Sequence, residues 1–404
     1  MYIRKRGYMM TYQFADRIDR VKPSAIRQLL KLGSDPEIIS FGGGYPDPNI
    51  FPIDKLRRVY DEVLLNEGKV ALQYTGTEGL IELREKLINR VKRIGIECNL
   101  ENLFIIQGGQ QGLDLAAKAF IEKGDIIITE NPTFLGALAA FNPYEPEYLS
   151  VSMDSEGMVM DELEELLANN KRVKIIYTVP EFHNPTGVTM SLERRKTLVD
   201  LANKYNIIIV EDSPYREIRY EGEDIPSIKS LDTEGRVIHI GSFSKILSPG
   251  LRLGWLIAEK ELAEKLSLLK MASDTQNSTL NMFVVNRFME LFDLDAHINN
   301  IRSTYKAKKD LMFQTIDEAF PKEITFTKPE GGLFTWLTFP KHIDTNELMQ
   351  KYTLPEAKVA YVPGESFFPN EPEKNHCRLN YSYMSEDKIM DGISKLGRIV
   401  KKFV

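Results

Sequence analysis

Lys245 lies in the stretch Gly241-Ser242-Phe243-Ser244-Lys245-Ile246-Leu247-Ser248-Pro249-Gly250-Leu251-Arg252, a lysine among small residues with an arginine seven positions on. A lysine held beside small residues and apolar walls loses its proton readily and can act as a nucleophile or Schiff-base former. Pro249 and Gly250 interrupt any long helix and turn Arg252 back toward the lysine. Taken alone, the stretch also reads as a solvated surface lysine. Gly108-Gly109-Gln110-Gln111-Gly112 is a second cluster with chemistry in it. Glycines between a strand and a helix leave backbone N–H groups and the positive end of the helix dipole aimed at one point, which suits an anion. The spacing matches neither a Walker A loop nor a dinucleotide fingerprint. Gly42-Gly43-Gly44 lets a ligand approach the backbone closely or makes a plain turn, and the residues leave both open.

Each cluster needs an element to position it. Short apolar runs at Leu103–Ile106, Ile126–Thr129, Lys174–Thr178, Ile207–Val210 and Val237–Ile240 read as strands, with helical stretches such as Leu192–Lys204 between several of them. Alternating strands and helices with near-continuous apolar strands predict an α/β fold, a mainly parallel sheet covered on both faces. In such sheets ligand-handling residues stand at the carboxyl ends of strands. Four strand ends carry Glu130-Asn131-Pro132-Thr133-Phe134, His183-Asn184-Pro185-Thr186-Gly187, Glu211-Asp212-Ser213-Pro214-Tyr215 and Ser242 to Lys245, and they converge on one cleft.

Elsewhere, a stripe of Leu80, Leu83, Leu87, Ile88 and Val91 closed by Gly95 predicts an amphipathic helix, and the glycine turn leads into a helix from Leu113 to Lys123. Ser24, after Pro23, caps a helix running to Gly33 and carrying Arg27. Long helices follow from Glu261 to Met271 and through the 280s to Phe313. Strands at Gly332–Trp336, Val359–Val362 and Cys377–Tyr381 then build a smaller α+β domain, joined by the N-terminal segment. The expected division is 1–45, 46–295 and 296–404.

At 404 residues, 43% hydrophobic and 27% charged, the composition is that of a globular protein of two or three domains. A net charge of −6 without clusters recommends no nucleic-acid partner. Cys98 and Cys377 have no Cys-x-x-Cys spacing and no histidine cluster beside them. Neither a metal site nor a disulfide framework is indicated, and a reducing cytoplasm fits. No run has the length of a membrane span, and the N-terminus offers no apolar core for a signal peptide.

Together, Gly108-Gly109-Gln110-Gln111, His183-Asn184-Pro185-Thr186-Gly187, Asp212 with Tyr215, Ser242 to Lys245 with Arg252, and Arg378 resemble fold-type I, pyridoxal-phosphate-dependent aminotransferases, nearest the 2-aminoadipate and kynurenine aminotransferase branch. The likeness runs from about Ser24 onward, and five motifs in order make it specific. It implies a three-layer large domain that binds pyridoxal 5'-phosphate, and transfer of an amino group between an L-amino acid and a 2-oxo acid such as 2-oxoglutarate. The donor would be of the 2-aminoadipate, aromatic or branched-chain type.

The resemblance also implies a role for each residue. Lys245 holds the cofactor aldehyde and then moves the substrate proton. Asp212 pairs with the ring nitrogen, Tyr215 and Asn184 bind the ring hydroxyl, and Phe134 stacks on the ring. Gly109, Gln110, Ser242 and Arg252 take the phosphate. Tyr74 reaches that phosphate from the neighbouring subunit of a homodimer. Arg378 clamps the substrate α-carboxylate, with Asn184 and Gly43 beside it, and Arg27 meets a side-chain carboxylate or is simply exposed. Relatives often have serine or threonine at Gly109, so one phosphate contact is missing here.

Three other readings were weighed. Ser242 to Lys245 also spells the Ser-x-x-Lys of penicillin-recognising hydrolases, but its companions are absent, since Ser273-Asp274 is followed by Thr275 and no Lys-Thr-Gly occurs. A β-lyase of the same fold shares every cofactor motif. A regulator would carry a DNA-binding segment ahead of this fold, and only about 25 residues precede the first matching motif.

Overall fold

The computed structural model describes residues 12–21 and 35–404. The expected Ser24–Gly33 helix and Arg27 lie outside the described residues. Fourteen strands follow in chain order: β1 (Ile39–Ser40), β2 (Leu103–Ile106), β3 (Ile126–Asn131), β4 (Glu147–Asp154), β5 (Gly157–Met158), β6 (Val173–Thr178), β7 (Ile208–Asp212), β8 (Val237–Ser242), β9 (Gly254–Ile257), β10 (Thr325–Phe326), β11 (Phe334–Thr338), β12 (Val359–Ala360), β13 (Val362–Pro363) and β14 (His376–Asn380).

Eight of them form one sheet in the order β2-β9-β8-β7-β6-β3-β4-β5. The run from β8 through β7, β6 and β3 to β4 is parallel. β9 is antiparallel to both β2 and β8, and the short β5 is antiparallel to β4, so the sheet is antiparallel at both ends. β2, β8 and β9 are buried along their whole length, as strands covered on both faces must be. Three strands of this sheet, β4, β5 and β9, were not legible as such, and β5 is only two residues long. β4 mixes polar and apolar residues and is mostly half-buried or exposed, and β9 is four residues long and follows directly on the Arg252 loop.

The helix after the glycine turn spans Gly109–Phe120, not Leu113–Lys123. It starts four residues early because Gly108, at φ +77°, breaks the strand and leaves Gly109 already helical. It stops early because Ile121 is extended on the way into the Gly124 turn. The amphipathic helix spans Ile81–Val91, and Gly95 closes the following turn in the left-handed region.

A second, four-stranded sheet has the order β10-β11-β14-β13 and packs with the helix Glu386–Val400. The helix Leu294–Ala319 serves both halves: Leu294, Ile298, Ile301 and Tyr305 belong to the core around the large sheet, and Met312, Phe313 and Ile316 to the second core. The N-terminal segment is stitched to the second core. Ile39 and Ser40 pair in parallel with Val359 and Ala360, and Asn380 N donates to Phe41 O at 2.9 Å. That seam delivers Gly42, Gly43 and Gly44 to the crevice at the carboxyl ends of β8, β7 and β6.

Candidate active site

Lys245 stands three residues past the end of β8, half-buried, and its Nζ donates to Gly44 O at 2.7 Å. Burial, with the guanidiniums of Arg378 and Arg252 nearby, lowers its pKa from 10.5 to about 8. Burial withholds water from the ammonium and the two guanidiniums repel it, so all three favour the neutral amine.

Asp212 ends β7 and is 4% exposed. Among the described residues its carboxylate takes one hydrogen bond, from Tyr177 Oη at 3.1 Å. Burial raises its pKa from 3.8 to about 7, against the pull of the Tyr177 hydroxyl and His239. A buried carboxylate with so little compensation suits a cationic partner such as a protonated ring nitrogen.

Asn184 ties two groups together. Arg378 Nη1 donates to its Oδ1 at 2.7 Å, while its Nδ2 donates to Tyr215 Oη at 3.1 Å. The two bonds set the amide's orientation. Burial pushes the Tyr215 hydroxyl well above its ordinary value, so it stays a donor. Arg378 is 1% exposed, lies 4.1 Å over the Phe334 ring, and donates its Nη2 to Gly42 O at 2.7 Å. Its partners are carbonyl oxygens, and its Nε has none among the described residues. Burial lowers its pKa to about 10. A buried guanidinium without a carboxylate is matched to an anionic ligand.

The phosphate end is built from backbone. Among the described residues no side chain caps the helix Gly109–Phe120. Its first N–H groups therefore face the crevice with the positive end of the dipole. Arg252, held at φ +52° by the Pro249–Leu251 turn, donates Nη2 to Gln107 O at 2.8 Å. Ser242 Oγ accepts from Ser244 N at 3.1 Å and donates to Ser244 Oγ at 3.0 Å. Gln110 anchors its side chain on Gly136 O at 2.8 Å. Phe134, half-buried, sits over Gly136, where a Cβ would run into the ring.

These residues line one cavity of about 290 Å³, in which Gly109, Gln110, Phe134, Asn184, Asp212, Tyr215, Ser242, Lys245, Arg252 and Arg378 meet. One expected residue, Gly43, is not brought in, and Tyr74, expected at the neighbouring subunit's site, does not line the cavity of its own chain. Gly43 is buried beside Tyr45, and its neighbours Gly42 and Gly44 present their carbonyls to Arg378 and Lys245 instead. Tyr74 is 81% exposed and lines a separate surface hollow. Reading the sequence missed Tyr177, which was counted only as an apolar strand member, and Glu181, which bonds Ser213 from behind the site.

The residues present fit pyridoxal phosphate: an uncapped helix start for the phosphate, a buried acid, an oriented hydroxyl and amide, and an amine of lowered pKa. The comparisons agree. The family model described as aminotransferase class I and II matches residues 39–396. The chain is 44% identical to aromatic-amino-acid aminotransferase 1 of Thermococcus litoralis over 395 residues, covering 96% of this chain and 94% of that protein. It is 36% identical to the 2-aminoadipate transaminase of Thermus thermophilus over 391 residues, covering 96% of each. The crystal structure of Pyrococcus horikoshii kynurenine aminotransferase in complex with PMP superposes with a TM-score of 0.92 at 42% identity, covering 96% of this chain and 97% of that one. The chain belongs to the aminotransferase class I and II family. It is a pyridoxal-phosphate-dependent transaminase with the aspartate aminotransferase-like α/β fold of type I.

Proposed function

We propose that the enzyme moves the amino group of an aromatic L-amino acid, and of 2-aminoadipate or a branched-chain amino acid, to a 2-oxo acid such as 2-oxoglutarate. The observation that carries this reading is the charge inventory of the cavity. Among the described lining residues the cations are Lys245, Arg252 and Arg378, and each has a task. Lys245 binds the cofactor aldehyde, Arg252 the phosphate and Arg378 the substrate α-carboxylate in a bidentate fork. None is left over for a second carboxylate, so the described walls suit an apolar or aromatic side chain. Arg27 supplies the contact to the distal carboxylate of 2-aminoadipate or 2-oxoglutarate. The names of the relatives above support both halves of this reading, and none of them is a lyase.

When bound, the cofactor supplies an electron sink for the pair left behind as the α-proton departs. The chain's own residues do the rest. Asp212 Oδ stabilises the proton on the ring nitrogen. Tyr215 Oη and Asn184 Nδ2 hold the ring hydroxyl, and Phe134 stacks on the ring. Gly109 N, Gln110 N and Ser242 Oγ join Arg252 at the phosphate. Lys245 Nζ, poised near neutrality, takes the proton from the substrate α-carbon and returns one in the next step. Asn184 carries the orientation of Arg378 to Tyr215, so the substrate's anchor and the ring's anchor are one hydrogen-bonded unit. Gly43 lies between the two carbonyls that meet Arg378 and Lys245, and shapes the substrate's approach.

We further propose a homodimer in which Tyr74 reaches the phosphate of the partner's site. Leu65 on the helix Ile53–Ala71, and Leu72 and Tyr74 just past its end, are 84%, 70% and 81% exposed, apolar surface that a second copy would cover. A division at 1–45, 46–295 and 296–404, and a cytoplasmic setting, complete the reading. Among the described residues no helix is long and apolar enough to cross a membrane. The test is a panel of amino donors with 2-oxoglutarate. Arg27→Ala is expected to raise KM for 2-aminoadipate about tenfold more than for phenylalanine, the loss of one charge-assisted contact. Equal losses on both donors would remove Arg27 from the specificity account.

A further inference from the structure

Glu181 stands outside the cavity, 1% exposed, on the segment between β6 and Asn184. Its Oε1 accepts from Arg195 Nη1 at 2.6 Å and from Arg216 Nη1, and its Oε2 accepts from Ser213 Oγ at 3.0 Å. Each partner belongs to a different piece of the site's support. Arg195 lies on the helix Leu192–Tyr205 and clamps the same segment through Pro180 O at 3.2 Å and Met190 O at 3.0 Å. Ser213 follows Asp212 directly, and Arg216 follows Tyr215 directly. One carboxylate therefore ties together the segment that carries Asn184 and the segment that carries Asp212 and Tyr215.

We propose that Glu181 is a positioning residue for the transamination site: through Ser213 and Arg216 it sets where Asp212 and Tyr215 stand relative to Asn184. The inference rests on the roles proposed above for those three residues. Its physical basis is stiffness. The Asn184–Tyr215 bond joins two loops of different strands, and loops carry little register of their own. A fully buried carboxylate shared by two guanidiniums and a hydroxyl leaves those loops one arrangement, since any slip strands a charge. Burial opposes the ionisation of Glu181, but Arg195, Arg216 and Ser213 outweigh it and hold its pKa well below the usual carboxylate range. The group stays charged through the working pH and does not act as an acid or base.

The test uses the enzyme reconstituted with pyridoxal phosphate, its amino-donor KM and kcat, and the pH midpoint of the bound cofactor's visible spectrum. Ser213→Ala cuts one hydrogen bond and leaves both ion pairs in place, so it is the variant that tests the role if Glu181→Gln does not fold. The expected result for Ser213→Ala is a loss of about tenfold in kcat with KM nearly unchanged and a displaced spectral midpoint, the size produced by a displacement well under an ångström. Glu181→Gln loses more, about a hundredfold, on the same scale of misplacement. A folded Glu181→Asp recovers part of the midpoint shift. Wild-type kcat and midpoint in Ser213→Ala would overturn the positioning role, whatever happens to its thermal stability. That outcome would leave the transaminase reading intact, because the wild-type turnover and spectrum in the same experiment test it separately.

Discussion

Asn184 shows how far one residue can be understood from its neighbours: its amide is spoken for at both ends, by Arg378 and by Tyr215. Gly109 shows the opposite, a position with room to spare. A Cβ there would lie 3.5 Å from Asp212 Oδ1 and 3.6 Å from Ile240 Cγ2, ordinary contacts, and its backbone is helical. Nothing steric demands glycine. Gly109→Ser is therefore expected to add a hydroxyl to the phosphate cradle and lower the Kd for pyridoxal phosphate by about tenfold, a modest charge-assisted hydrogen bond. Equilibrium dialysis of the apoprotein measures it, and an unchanged or weaker Kd would contradict the placement of the phosphate.

Asp212 gives a pH signature. Its carboxyl rises from 3.8 to about 7 in the folded apoprotein because it is buried. Between those values only the folded state keeps the proton, so the stability it contributes is full below the lower value and is lost as pH rises through the upper one. The Tm of the apoprotein relative to Asp212→Asn should fall across that window. A flat difference would show that Asp212 is not desolvated. Lys245, Asn184, Asp212, Tyr215 and Arg252 stood out in the sequence because turn residues and strand ends announce them, whereas Arg378, in the middle of β14, stood out only through the resemblance. Tyr177 and Glu181 did not stand out at all. A tyrosine in an apolar strand and a glutamate in a loop carry no local mark of what they touch.

At the scale of elements, the antiparallel strand β9 is what closes the phosphate loop against β8. Gly254 pairs with Ser242, and a Cβ on it would meet Gly241 O at 2.6 Å and Gly108 Cα at 3.1 Å. Both neighbours are backbone and cannot step aside. Gly254→Ala is expected to cost roughly 1–3 kcal/mol of stability, the usual penalty of overpacking. Chemical denaturation measures it, and a loss within error would mean that the seam between β9 and the glycine turn is looser than the structure has it. The parallel strands β3, β6, β7 and β8 could be read from the chain because burial on both faces makes them continuously apolar. β9 and β4 could not: one is short and follows a loop with its own chemistry, and the other mixes its faces. The helix start at Gly109 was hidden by helix-poor glycines, whose placement there is decided by the tertiary surroundings.

The described residues form a large sheet with a core on each face and a smaller unit with a core of its own, around one crevice. Leu294–Ala319 runs through one core of each, and the N-terminal seam carries Gly42 and Gly44 from the smaller sheet to Arg378 and Lys245. The α/β class and the smaller α+β unit were both readable from the alternation of elements along the chain. The antiparallel placement of β9 between β2 and β8 and the sharing of one long helix were not, because both depend on contacts between distant segments. The most direct test of the account is a single assay of the reconstituted enzyme with an aromatic amino acid, in the presence and absence of 2-oxoglutarate, alongside Lys245→Ala. Sustained oxo-acid formation is expected only when the acceptor is present, with neither turnover nor the visible absorption of the bound cofactor in the lysine variant. Sustained product without an acceptor, or full activity in Lys245→Ala, would contradict it.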